Sequence, residues 1–335
     1  MINKFKIKHE DIISAENILS AWEEFLKGKR NKKDTQEFQI NLMDNILSFH
    51  SNLASRTYIH GGYEAFKIND PKPRDIHKAS VWDRLLHHAI YRILYPLFDK
   101  TFMADSFSCR LKKGTHGAIN RFRKFYYKVG KNGTKTCWIL KCDIRKFFAN
   151  IDHEILINIL REHIEDENLI NLLKNIIGSF SPTRDGVGLP LGNLTSQLFV
   201  NIYMNKFDQF IKHKLKAKHY IRYYDDFVIL SDNREQLEKI ISPIKEFLNQ
   251  NLKLELHPDK IFIKTLASGV DFLGWVNFTD HKILRIATKR RMFRNIAKNG
   301  GKPETIQSYF GLIGHGNGYK LKKEIINSIL NSRRL

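Results

Sequence analysis

The chain has 335 residues, 42% hydrophobic and 27% charged, an ordinary globular mixture with room for two or three lobes. Its 56 Lys+Arg against 35 Asp+Glu give +21, more than an enzyme of neutral small molecules needs, and point to a polyanion, most simply nucleic acid, with an anionic membrane surface as the rival. No stretch approaches the roughly 18 apolar residues of a membrane span, the start "MINKFKIKHEDIIS" lacks an apolar signal run, and Cys109, Cys137 and Cys142 form no C-x-x-C pair; these argue against a membrane protein, a secreted disulfide scaffold and a zinc module, and for a reducing cytoplasm.

Residues 1–50 read as helical and polar, with a basic cluster at Lys27–Lys33. Thr57 to Ile76, richer in Tyr, Phe, Gly and Pro, reads as short strands. Ser80 to Phe98 has helical periodicity, with Trp82, Leu85, Leu86, Ala89, Ile90, Ile93 and Leu94 on one broad face, and Pro96 marks its end. Thr136 to Lys141, "TCWILK", is a buried strand that leads into Asp143. A helix capped by Asp152 follows through Leu160, and "RDGVGLPLGN" is a loop by its Gly and Pro content. Another helix runs from Ser196, with Leu198 and Ile202, and Phe199 and Tyr203, at i, i+4 spacing. "HYIRYYDDFVIL", His219 to Leu230, is a hairpin with Asp225 and Asp226 at its tip. Gln236 to Leu248 is amphipathic, "KIFIKT" and "VDFLGWVNF" are strands, and the tail from about Lys289 is helical and basic. Hairpins mixed with helices, without regular βαβ units, give an α+β class.

Adjacent carboxylates repel each other unless a cation neutralises them. A solvated turn is the plain alternative for Asp225-Asp226, since Asp is a common turn residue. Asp143 shifts the balance, because a strand as apolar as "CWILK" belongs in the middle of a sheet, beside the hairpin. Three carboxylates then meet at one sheet end. Hard oxygen ligands suit Mg²⁺, and two such ions about 4 Å apart serve in-line phosphoryl chemistry. With the basic charge, template-directed nucleotidyl transfer becomes the leading reading.

At this point the sequence resembles a reverse transcriptase. The Tyr-x-Asp-Asp box is "YYDD", Tyr223 to Asp226; the third aspartate stands in "DIRKFF", Asp143 to Phe148; and the "LPxG" loop is "LPLG", Leu189 to Gly192. "HPDK" supplies Lys260, "FLGW", Phe272 to Trp275, matches the primer-grip hairpin, and Arg74 stands ten residues before Arg84 of the "SVWDR" box. The boxes keep the family's order from about Thr57 to Trp275. "LGNLTSQ", Leu191 to Gln197, is similar to the enzymes of diversity-generating retroelements, as are "DSFSCRLKKGTHGA" and "NILSAWEEFLKGKRNK". The box departs from the family at Trp82, where Arg is frequent, which puts a phosphate or template contact in doubt.

The resemblance implies a right-hand polymerase fold: an N-terminal helical extension (1–50), fingers (51–135), a palm of antiparallel strands with flanking helices and the primer-grip hairpin (136–280), and a small helical thumb (281–335). It implies catalysis by Asp143, Asp225, Asp226 and Lys260, with two Mg²⁺ ions, or Mn²⁺ in their place, held by the three aspartates and the Ile144 carbonyl. Arg74 and either Lys72 or Lys67 would hold the triphosphate. Phe148 would exclude a 2′-hydroxyl while Phe147 fills the core. Leu191 and Gly192 would border the incoming base. Tyr224, Phe272, Leu273, Gly274 and Trp275 would meet template or primer, and Gln197 and Asn193 would either contact template or brace their loop. Lys260 would protonate pyrophosphate, and the basic tail helices would track the duplex. The implied activity is copying of a template-repeat RNA into cDNA with errors at adenines, using dNTPs and a basic accessory variability protein, in the cytoplasm and without a membrane. An orphan or antiviral reverse transcriptase, and an RNA-binding protein that has lost catalysis, are the alternatives. His116 and the His87-His88 pair lack metal-ligand spacing and read as structural.

Overall fold

The computed structural model describes residues 4–69 and 73–332. Four helices open the chain, α1 (His9–Ile13), α2 (Ala15–Leu26), α3 (Lys33–Ile40) and α4 (Leu42–Ala54). A hairpin of β1 (Tyr63–Ile68) and β2 (Arg74–Ala79) leads into α5 (Val81–Asp99), and α6 (Gly114–Val129) precedes β3 (Trp138–Asp143). Then come α7 (His153–His163), α8 (Glu167–Gly178) and α9 (Leu194–Gln209), which continues into a π-helical turn, Phe210–Lys214. The hairpin β4 (His219–Tyr223) and β5 (Asp226–Ser231) is followed by α10 (Arg234–Lys239), α11 (Ile241–Leu252) and β6 (Phe262–Thr265). A meander of β7 (Val270–Phe272), β8 (Trp275–Asn277) and β9 (Lys282–Leu284) ends in α12 (Ile286–Lys298), α13 (Pro303–Ile313) and α14 (Tyr319–Ser332).

All named strand pairs are antiparallel, and the central sheet has the order β4-β5-β3-β6. Its strands carry continuous apolar runs because both faces are covered. Leu140, Tyr220, Phe227 and Ile229 point into a large core shared with α1, α2, α4, α5, α7, α8, α9 and α11. Their neighbours Ile139, Ile221, Val228 and Leu230 point into a second core with Phe122, Phe125 and Tyr126 of α6. That alternation is the period-2 geometry of a strand sandwiched between helical layers. A third, smaller core joins Trp275 and Leu284 to Met292, Ile296, Ile313 and Ile325.

Several elements depart from the sequence reading. Helix α5 continues through Pro96 to Asp99, because a proline near a helix end forfeits only one backbone bond. The helix expected over Gln236 to Leu248 is two helices, broken at Ile240. Asp226 is not at the hairpin tip: it is the first residue of β5, opposite Tyr223 on one side and Asp143 on the other. Trp82 is a packing residue, with its ring 4.9 Å from Phe38 and 5.7 Å from Phe49, and so helps dock α3 and α4 onto α5.

Candidate active site

Strand β3 brings Asp143 to one end of the central sheet, and register places it directly across from Asp226. Asp225 lies in the two-residue turn, where its carbonyl accepts from the Ile144 amide at 3.0 Å. The Asp143 carbonyl accepts from His257 N–H at 2.8 Å, which ties β3 to the segment before Lys260. The Ile144 side chain is core. All three carboxylates line one cleft of about 1080 Å³ with Arg74, Lys141, Lys260, Leu273, Gly274, Arg285, Arg290, Arg291 and Arg294.

The acids there are costly. Asp226 is pushed up to about 7, first by burial, with the Asp225 and Asp143 charges adding and Lys141 opposing. Asp225 is pushed up to about 6 by burial and then by Asp143, while Lys260 and Arg74 pull it down. Lysines supply the neutralising charge: Lys260 Nζ is 2.8 Å from Asp143 Oδ1 and Lys141 Nζ is 3.2 Å from Asp226 Oδ2. Asp226 Oδ1 is buried and has no hydrogen-bond partner. Such an orphaned buried oxygen is the mark of a group awaiting a cation or a donor. Among the described residues no group of three or more His, Cys, Asp or Glu side chains is placed to hold a metal ion. Mg²⁺ does not require one, since it binds through one or two carboxylates and completes its shell with water and phosphate oxygens. The donor set therefore fits that ion.

Arg74 opens β2, is exposed, and faces Asp225 closely enough to stabilise its charged form. Lys67 sits on β1 opposite Asp75 and is exposed; Lys72 lies outside the described residues. Phe148 is half-buried with its ring 5.7 Å from Tyr224, and Phe147 is buried. The two neighbours part because the chain leaves β3 at Asp143 and runs through a 3₁₀ turn at Phe147–Asn150. Tyr224 lines the cleft with the acids, whereas Phe148, Leu191, Gly192 and Gln197 do not line it.

The LPLG loop is fastened to β2. His77 N–H donates to the Leu191 carbonyl at 3.0 Å, and Asn193 Nδ2 donates to the His77 carbonyl at 3.0 Å. Asn193 therefore braces the loop. The space a Cβ on Gly192 would fill faces Ile76, so the glycine serves loop-to-strand packing. In the β7–β8 hairpin the turn, Leu273-Gly274, and Asp271 of β7 face the cleft, and Asp271 pairs there with Arg285. Phe272 is buried against Phe122 and Trp275 against the third core, so neither can touch a duplex there. The turn has positive φ at both positions, 51° and 86°, which suits a tight two-residue hairpin.

Sequence reasoning missed Lys141, although it lies two residues before Asp143 and so on the same strand face. It also missed the buried pair of Arg222 and Asp208, for which an arginine inside the apolar "YIRYY" was the signal. His87 and His60, 3.1 Å apart between Nε2 atoms, belong to a buried network with Asp83, Tyr58 and Ser80. The three cysteines are free thiols. No helix among the described residues is long and apolar enough to cross a membrane.

The profile of the family "Reverse transcriptase (RNA-dependent DNA polymerase)" matches residues 68–276. Protein YkfC of Escherichia coli K12 is 27% identical over 290 residues, 74% of this chain and 71% of that protein. The group II intron-encoded protein LtrA of Lactococcus lactis is 23% identical over 292 residues, 67% of this chain but 47% of its own length. The chain thus spans less than half of that relative, and 30% of a yeast COX1/OXI3 intron 2 protein that is 24% identical. Telomerase from Candida albicans superposes with a TM-score of 0.52 at 12% identity, covering 83% of this chain and 58% of that one, and shares the right-hand polymerase fold. With its profile match running from the end of β1 to β8 across all three aspartates, the chain belongs to the reverse transcriptase family and has homologues among group II intron-encoded proteins.

Proposed function

We propose that the chain is an RNA-directed DNA polymerase that copies a template-repeat RNA into error-prone cDNA to diversify a target gene. The observation that carries the polymerase reading is the cleft itself, where Asp143, Asp225 and Asp226 face Arg74, Lys260 and four arginines from α12 and its N-cap. Asp143, Asp225 and Asp226, with the Ile144 carbonyl, would hold Mg²⁺, or Mn²⁺ in its place. When bound, such ions activate an attacking hydroxyl and stabilise leaving pyrophosphate.

The chain's own side chains supply the rest. Arg74 forks onto triphosphate oxygens, with Lys67 or Lys72 beside it. Lys260 would protonate the leaving pyrophosphate. The Phe148 ring would clash with a 2′-hydroxyl and so select dNTPs. Leu191 offers the incoming base only packing. Leu273, Gly274 and Tyr224 meet the primer end, and Gln197 the template. Arg285, Arg290, Arg291 and Arg294 track the duplex backbone, a salt-sensitive grip without sequence preference. In this reading residues 1–50 extend the fingers (51–135), the palm is 136–280 and the thumb 281–335. The retroelement type is supported by "LGNLTSQ" and "DSFSCRLKK", with a basic accessory protein as partner in the cytoplasm.

The test is primer extension on an RNA template with dNTPs and Mg²⁺, followed by sequencing of the cDNA. Wild type should extend and miscopy template adenines; Asp225→Asn should not extend; Leu191→Gln should lower the error rate. Extension by Asp225→Asn at the wild-type rate refutes the site, and a wild type accurate at every template base refutes the diversifying role and favours the orphan or antiviral reading.

A further inference from the structure

Tyr224, the first turn residue of the catalytic hairpin, has φ +57°, a left-handed conformation that side chains other than glycine rarely adopt. Such strain persists only where the surroundings over-determine it. Three contacts hold it. The Tyr224 N–H donates to Ser108 Oγ at 3.0 Å, the Tyr224 carbonyl accepts from Arg222 Nη1 at 3.1 Å, and the phenol meets Cys109 Sγ. Both backbone polar groups of the strained residue are therefore bonded to side chains that are themselves buried, Arg222 at 1% exposure and Ser108 at 0%.

Arg222 is fixed in turn. Asp208 of α9, 0% exposed, takes its Nε at 2.7 Å and its Nη2 at 2.7 Å, and Nη2 also reaches Ser106 Oγ at 3.1 Å. Tyr220 O–H donates to the same Asp208 at 2.6 Å. The segment that supplies Ser106 and Ser108 runs alongside β4: Arg222 N–H donates to the Asp105 carbonyl and Phe107 N–H to the Arg222 carbonyl, each at 3.0 Å. Asn201 of α9 donates to the Ser108 carbonyl at 3.0 Å. A bidentate pair of this kind has a fixed plane, so one guanidinium edge grips Asp208 while the other presents Nη1 to the turn.

We infer that Arg222, anchored by Asp208, and Ser108, on the strap Asp105–Cys109, are positioning residues that lock Tyr224 in its left-handed conformation and so aim Asp225 into the cleft. The Tyr224–Asp225 peptide plane sets the direction of the Asp225 side chain. Released from Arg222 and Ser108, the turn relaxes toward φ < 0 and Asp225 swings away from Asp143. The kinetic consequence rests on the polymerase reading; the conformational one does not.

Removing Arg222 alone would leave Asp208 buried and unpaired, so loss of activity in that variant would be ambiguous. Replacing the charged pair and the phenol that share Asp208 with apolar groups, Arg222→Met with Asp208→Leu and Tyr220→Phe, removes the Arg222 side of the lock without stranding a charge, and leaves neutral Ser106 and Asn201 short of one hydrogen bond each. We expect this triple variant to melt at or near the wild-type temperature. On an RNA template with a DNA primer and Mg²⁺, kcat should fall at least tenfold, about 1.4 kcal/mol, with KM for dNTP and primer affinity within threefold. Hydrogen exchange at the Tyr224 amide should speed up by the same order or more. Wild-type kcat and exchange in the folded triple variant overturn the inference. If the triple variant does not fold, Ser108→Ala decides, since it leaves the Arg222–Asp208 pair intact: faster Tyr224 exchange with reduced kcat supports the lock, and wild-type values for both overturn it. Should the wild type extend no primer, the polymerase reading fails, and Tyr224 exchange alone still judges the lock.

Discussion

Gly192 sets the most direct test of how the LPLG loop is held. Its φ is +108°, and a Cβ there would stand 2.9 Å from Ile76 Cγ2 and 4.0 Å from the His77 carbonyl. Gly192→Ala therefore carries two costs. Forcing an L side chain into that backbone region is worth ~1–3 kcal/mol. The close contact with a methyl group adds overpacking of ~1–3 kcal/mol, at the lower end because Ile76 is only half-buried and can give way. The sum is about 2–4 kcal/mol, read as the loss of unfolding free energy in urea. Gly62→Ala is the control: that glycine has no positive φ and nothing within 4 Å of a Cβ, so its variant should stay within about 0.5 kcal/mol. Ile76→Ala separates the two terms. In its background Gly192→Ala should lose only the backbone part, giving a coupling of about 1 kcal/mol in a double-mutant cycle. Because Arg74 begins the strand that carries Ile76 and His77, the same variant should raise KM for dNTP. A Gly192→Ala protein as stable as the Gly62→Ala control, or one whose loss is the same with and without Ile76, would refute this account of the loop.

Phe148→Ala should lower the kcat/KM preference for dNTP over rNTP at least tenfold, about 1.4 kcal/mol of discrimination; an unchanged preference with a destabilised protein makes Phe148 a packing residue. Mg²⁺ should raise the wild-type melting temperature and leave that of Asp225→Asn in place, since a ligand stabilises only the state that binds it; equal shifts in both would separate the ion from this acid. Burial, then the neighbouring His60, pushes His87 down to about 3, so the unfolded chain takes up its proton first: the associated stability is full above about pH 6.5 and drains at up to ~1.4 kcal/mol per pH unit as pH falls toward 3. His87→Gln should therefore flatten the acid side of the stability curve, and an unchanged slope would assign the acid sensitivity to other groups.

The three aspartates were legible because each stands inside a local pattern, an apolar strand running into Asp143 and a hairpin ending at Asp225-Asp226. What could not be read was register. "YYDD" allows a turn over Tyr224-Asp225 or over Asp225-Asp226, and a slip of one residue flips every side chain to the opposite face. The choice is made by Arg222, two residues back, together with a strap 116 residues away in sequence, which fix Tyr224 in the turn and so make Asp226 a strand residue opposite Asp143. Motif matching also does not say which way a side chain points. "FLGW" does form a hairpin turn, yet two of its four side chains go inward to separate cores.

Charge shows the same limit from another side. The excess of cations was plain in the composition, but not that four arginines around α12 would face the acids across a cleft, since nothing local in "RIATKRRMFR" says which face meets the β7–β8 turn. Lys141 and Arg222 were different. Both interrupt apolar strands, where an unpaired charge would cost several kcal/mol, so each required a partner brought by another element. Lys141 finds Asp226 across the sheet and Arg222 finds Asp208 on α9. The two cations that fit the pattern of their strands least well are thus the two that hold the β4–β5 hairpin from either side. A charged residue in an apolar run is evidence about tertiary structure even when its partner cannot yet be named.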